Sequence, residues 1–160
     1  MAAGALLLAG LTACSSNSGS SPKNVAAPAK PLTASTAFQQ IAAAVPTAKL
    51  SGTVTAANDP NHLLGRPNQY TSKVTFTDSR IKAADVVDPS KGSVDLGGAV
   101  EVFGDAAGAK ARAKYIQAVT KSLPALAEYD YAHGAVLVRV SRYLTPAQAA
   151  GYKSAAAKLD

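Results

Sequence analysis

The chain has 160 residues, 16% of them charged and 48% of the hydrophobic class, with a formal net charge of +6 and one cysteine, Cys14. Low charge, with valines, leucines and tyrosines recurring from Leu50 onward, excludes disorder throughout. The absence of an 18-residue apolar run excludes a multi-pass helical membrane protein, and a lone cysteine excludes an intramolecular disulfide.

Residues 1–13 carry no charge and include the apolar stretch Ala5-Leu6-Leu7-Leu8-Ala9-Gly10-Leu11. About ten residues cannot span a bilayer, but they match the apolar core of a secretory signal. The stretch runs into Leu11-Thr12-Ala13-Cys14 and then into polar Ser15–Pro22. Leu-Thr-Ala-Cys resembles a bacterial lipobox. The resemblance implies cleavage between Ala13 and Cys14, a thioether-linked diacylglycerol on Cys14, and often a third chain such as palmitate. A single acyl chain binds membranes only marginally, so two are what an anchor requires. The plainer alternative is an unlipidated signal or a buried free cysteine; the place of Cys14 and the polar segment after it argue against that. A signal ordinarily opens with Lys or Arg, and Met1-Ala2-Ala3-Gly4 has neither, so the start is expected upstream. Ser15–Ala34 is mostly Ser, Gly, Asn, Ala and Pro with Lys23 and Lys30, and predicts a flexible tether spanning about 25 Å as a random coil.

Residues 35–160 are long enough for one core. Thr33 or Ser35 caps a helix with Phe38, Ile41, Ala42 and Val45 at helical spacing, ended by Pro46. Leu50–Ala56 alternates, as does Tyr70–Asp78, where Tyr70, Ser72, Val74 and Phe76 share a face; both predict strands. A looser apolar segment, Ile81–Val87, is a third, weaker strand candidate before the turn-rich Asp88–Gly92. Ala99–Phe103 predicts a strand, and Asp105 caps a helix ending near Ser122. Pro124 breaks or restarts that helix, and Gly134 stops it, with His133 as a C-terminal cap. Ala135–Val140 is the strongest strand pattern in the chain. Thr145-Pro146-Ala147-Gln148 holds a capping box and a helix-starting proline, and the helix carries Tyr152, Ala156 and Leu159 on one side. The expectation is a small α+β domain. It has a mostly antiparallel sheet, one strand-helix-strand unit, and helices packed on one face.

On the middle helix, Lys110, Lys114, Gln117 and Lys121 fall within about 60° of one another, opposite Ile116, Val119 and Leu123. A solvated helix face explains this stripe better than contact with anionic lipid or wall polymer. Arg112 lies on the apolar side and needs an acceptor, with Glu101 and Asp78 as candidates for a structural ion pair.

The most distinctive segment is Asn58–Tyr70, which sets Asp59, His62, Arg66 and Tyr70 among turn-forming residues. Loops of about 12 residues in a small domain are often functional or packed by their own side chains. Leu63 and Leu64 are expected to plug the core or a groove, and the Arg66 fork to hold Asp59 or Asp78. This stretch resembles small secreted lipoproteins of high-GC Gram-positive bacteria. So do Tyr70-Thr71-Ser72-Lys73, Phe76–Arg80, Val100-Glu101-Val102-Phe103, Arg112–Tyr115 and Leu144–Gln148. The resemblance runs over roughly residues 50–160 and implies membership of that group, not a mechanism.

Enzyme signatures are thin. His62 and His133 form no metal set, so no metal or cofactor is expected, and P-loop, nucleophile-elbow and dinucleotide patterns are missing. Ser20 and Lys23 have the spacing of a penicillin-binding nucleophile pair but lie in the tether. The sequence therefore points to a non-catalytic module anchored through Cys14 on the outer face of the bacterial cytoplasmic membrane. Its expected partner is a small ligand, a peptide or another envelope protein, met along Asn58–Tyr70; no nucleic acid is expected. The alternatives are an envelope hydrolase using Asp59 or His62 as acid or base, and a structural lipoprotein that dimerises through an open sheet edge.

Overall fold

The computed structural model describes residues 31–159. The signal segment, Cys14, and Ser20 and Lys23 in the tether lie outside the described residues. The folded part begins inside the segment expected to be tether. Leu32 already packs against the core, and Thr33 caps the first helix, α1 (Ala34–Ala44), through a capping box with Thr36. Ala34 is fully buried, and its amide donates to Ser72 Oγ at 2.9 Å, which binds the helix start to the sheet.

The sheet is antiparallel throughout. In chain order its strands are β1 (Ala48–Thr53), β2 (Tyr70–Asp78), β3 (Gly97–Phe103), β4 (Glu128–His133) and β5 (Val136–Ser141). Their order across the sheet is β1-β2-β3-β5-β4. The remaining helices are α2 (Ala106–Ser122), which Asp105 caps by accepting from Gly108 N at 2.8 Å, and α3 (Pro146–Ala156), opened by the Thr145–Gln148 capping box. The chain is thus α+β, as its patterning predicts.

Two irregularities reset the expected faces. In β1, Leu50 pairs with Phe76 and Gly52 with Thr75, so Ser51 is an extra residue. That bulge breaks the period after Leu50, which pairs with Phe76 on the sheet's edge strand and is 54% exposed. In β2, Tyr70 pairs with Phe103 and Ser72 with Val102, so Thr71 is extra and Tyr70 turns to the face opposite Val74 and Phe76. The segment Ile81–Val87 holds a single 3-10 turn, Ala83–Asp85, and no strand.

The unforeseen strand is β4. Its Tyr129 and Tyr131 stack at 6.4 Å and pack against the core from alternate positions, and Gly134 (φ 50°) turns the chain into β5. Gly134 therefore ends a strand rather than a helix, and His133 is an exposed strand-end residue, not a helix cap.

The sheet has a core on each face. On one, α1 and α3 cover Val74, Phe76, Val100, Val102, Val136, Val138 and Val140. The Phe76 ring lies 5.4 Å from both Phe38 and Tyr152. That ring needs Gly98 beneath it, because a Cβ there would overlap Phe76 and the Arg139 carbonyl. On the other face, Ala109, Ala113 and Ile116 of α2 pack on Tyr70, Phe103 and Leu137. The expectation that all helices share one face holds for α1 and α3 only. The connection β3-α2-β4 crosses over β5 to reach the sheet's edge and carries α2 across the opposite face.

Candidate functional site

The loop between β1 and β2 is built around Asp59, which is 1% exposed. Its carboxylate accepts the amides of Asn61, Leu63 and Leu64 at 3.1, 2.8 and 2.9 Å. It also accepts the Tyr70 hydroxyl at 2.7 and 2.8 Å. Burial pushes this carboxyl up, but Tyr70 and the three amides outweigh it and hold the group down at about 2. The Tyr70 hydroxyl is pushed up by burial and by Asp59 beside it.

Further backbone bonds close successive turns: His62 N to Asp59 O at 3.1 Å, Gly65 N to Tyr70 O at 2.9 Å, and Gln69 N to Arg66 O at 3.0 Å. His62 and Asn68 take the left-handed conformation, at φ 53° and 61°. Leu63 and Leu64 are half-buried against the α2-side core. His62 and Arg66 are exposed, and among the described residues Arg66 binds neither of the carboxylates expected to hold it.

Asp78 lies elsewhere. At the far end of β2, Arg80 Nε and Nη2 fork onto it at 2.9 and 2.6 Å, and it accepts the hydroxyls of Thr47 at 3.1 Å and Tyr152 at 2.6 Å. Burial raises this carboxyl, but Arg80 and Tyr152 win and hold it at about 2. It ties α3 to the sheet on the α1/α3 side. Asp59, Arg66, Tyr70 and Asp78 thus do not line one pocket.

Of the two acceptors expected for Arg112, the fold supplies Glu101, whose Oε2 is 3.5 Å from Arg112 Nε. Glu101 is fully buried and also meets Lys73 Nζ at 2.9 Å and Arg139 Nη1 at 3.2 Å. Arg139 forks onto Glu128 at 2.6 and 2.8 Å, and Asp130 pairs with Arg139 across the strands. Burial raises the Glu101 carboxyl, yet Lys73, Arg139 and Arg112 together hold it below its ordinary value. Asp130 goes the other way: burial and the adjacent Glu128 push it up to about 8. Lys73 Nζ also sits 5.1 Å from the Tyr70 ring centroid, joining this network to the Asp59 loop.

Lys73, Glu128, Asp130 and Arg139 were not singled out from the sequence. A signal existed. Lys73, Glu101 and Arg139 each interrupt apolar strand residues on the face away from the valines. Alternation of that kind reads as a solvent face, and α2 is what covers it.

Three grooves open on this side of the sheet. One of about 490 Å³ lies over β1 and β2, with Lys73, Thr75 and Lys91 on its walls. A second, also about 490 Å³, runs between the loop and α2, lined by Asn61, Leu63, Asn68, Gln69, Arg112 and Tyr115, with Ala111. A third of about 370 Å³ includes Arg112, Tyr115, Ile116, Val119, Leu126 and Arg139. The last two share Asn61, Arg112 and Tyr115. Tyr115 is 61% exposed, with the Arg112 guanidinium 5.5 Å from its ring centroid. Lys110, Lys114, Gln117 and Lys121 are all exposed on the outer side of α2.

Among the described residues, no three His, Cys, Asp or Glu side chains gather as a metal site, and no helix is long and apolar enough to cross a membrane. Compared with protein-family models, with curated proteins and with solved structures, the chain matches none.

Proposed function

We propose that this chain is a bacterial lipoprotein module, held through lipidated Cys14 at the outer face of the cytoplasmic membrane, that recognises a ligand and does not transform it. The observation that carries the recognition reading is the stapled Asn58–Tyr70 loop. Asp59 spends its carboxylate on three amides and a hydroxyl, which leaves it no free proton or lone pair for acid–base work. What that staple does is hold the backbone of Asn61–Gln69 in place beside a groove. A preordered loop lowers the entropy lost on binding, which favours a recognition surface.

The anchoring reading is supported by Leu11-Thr12-Ala13-Cys14 and the polar segment that follows. Detergent phase partitioning of the full chain expressed in a Gram-positive host tests it. The wild type is expected in the detergent phase with incorporated labelled palmitate, and Cys14→Ser in the aqueous phase without label. A Cys14→Ser chain that still enters the detergent phase overturns the anchor.

A further inference from the structure

The groove between the loop and α2 has an unusual lining. Its polar side chains are the primary amides of Asn61, Asn68 and Gln69, and Arg112 is its only charged residue. Arg112 is turned toward Glu101 at 3.5 Å with its side chain only 12% exposed, on a carboxylate it shares with the nearer Lys73 and Arg139. Primary amides both donate and accept, which matches ligand groups that do the same, hydroxyls above all. An ionic ligand would instead find in this groove one cation, mostly buried.

Beside these amides stands Tyr115, an exposed aromatic on a helix whose apolar side is already spent on the sheet. Arg112 stacks against its ring from one turn earlier on the helix and steadies it. The ring lines two grooves that also share Asn61 and Arg112, so an elongated ligand can extend from one into the other along it. Every lining residue of the first groove comes from the loop or from α2. No strand edge is offered there, which removes the backbone pairing by which extended peptides usually dock.

We infer that this groove binds a neutral carbohydrate, with one pyranose ring stacked on Tyr115, its hydroxyls on the amides of Asn61, Asn68 and Gln69, and the next unit reaching into the neighbouring groove. The inference rests on the recognition reading above and names its ligand class. The flat apolar face of a pyranose suits an aromatic ring, and its rim of hydroxyls suits planar amides.

The test is a titration of the isotope-labelled full chain carrying Cys14→Ser, followed by NMR, with maltotriose and chitotriose as probes. Either is taken to about 20 mM, enough to register a millimolar Kd. The expected result is a saturable shift confined to the Asn61, Asn68 and Gln69 side-chain amides and to Arg112–Tyr115. Tyr115→Ala is expected to weaken binding about tenfold, and Tyr115→Phe to change it by less than about twofold, because the ring and not the hydroxyl makes the contact. Both variants keep their fold because the side chain is exposed. Equal binding by Tyr115→Ala overturns the proposal, as does the absence of localised shifts with both sugars. If trialanine moves these resonances and the sugars do not, the carbohydrate assignment is overturned while the recognition reading stands.

Discussion

The hydroxyl of Tyr70 lies 2.7 Å from one carboxylate oxygen of Asp59 and 2.8 Å from the other, closing the twelve residues 59–70 into one unit. Tyr70 is itself fully buried, edge-on to Phe103 at 6.2 Å. The loop is therefore pinned to the α2-side core by the residue that begins β2.

Removing that hydroxyl by Tyr70→Phe takes one hydrogen bond from a buried carboxylate and is expected to cost about 1.5–3 kcal/mol, read by urea denaturation. The pair also carries a pH signature. The folded Asp59 value of about 2 lies below the ordinary 3.8, so its contribution is complete above pH 3.8 and is lost as pH falls toward 2. Across that interval the wild type is expected to lose about 2 kcal/mol more than Asp59→Asn does. Parallel acid limbs for the two proteins would contradict this assignment.

Glu101 answers the positive charge of Lys73, Arg139 and Arg112 beneath α2. Glu101→Gln leaves those cations buried with too little counter-charge and is expected to cost about 3–5 kcal/mol in denaturation experiments. Arg112→Met is expected to cost less, because Arg112 is the most distant of the three and the others keep Glu101 paired. The reverse order would show that Arg112, not Glu101, is the centre of the network.

Asp130 shares its strand face with Glu128 and sits opposite Arg139, with Glu101 beyond. Its folded value of about 8 lies above the ordinary 3.8, so the folded state holds a proton that the unfolded state releases. Its contribution is full below pH 3.8 and is lost as pH rises through about 8. Thermal unfolding measured from pH 5 to 9 is expected to show this decline in the wild type and a flatter profile in Asp130→Asn.

Much of the secondary structure was legible in the sequence because it is encoded locally. Asp105 and Thr145-Pro146-Ala147-Gln148 mark helix starts by donor and acceptor chemistry within three residues. Tyr70–Asp78 and Val136–Ser141 follow period 2 over most of their length. β4 was missed because Glu128-Tyr129-Asp130-Tyr131-Ala132-His133 alternates acids with tyrosines, a pattern without an evident apolar face until its tyrosines meet the core.

The candidate site divides in the same way. The loop's turns, its half-buried leucines and the need of Arg112 for an acceptor follow from residue types and spacing. Which carboxylate served which cation did not. An extra residue in β2 turned Tyr70 toward Asp59, and Asp78 went to Arg80 and Tyr152 on the other face. By itself the sequence determined an α+β chain, its main helix starts and its distinctive loop, since each depends on neighbours close along the backbone. Only the tertiary structure decided that α2 covers a face patterned as solvent-exposed, burying Glu101 and leaving Tyr115 to line two grooves. Bulges and a crossover connection set those relations, and they act between residues tens of positions apart.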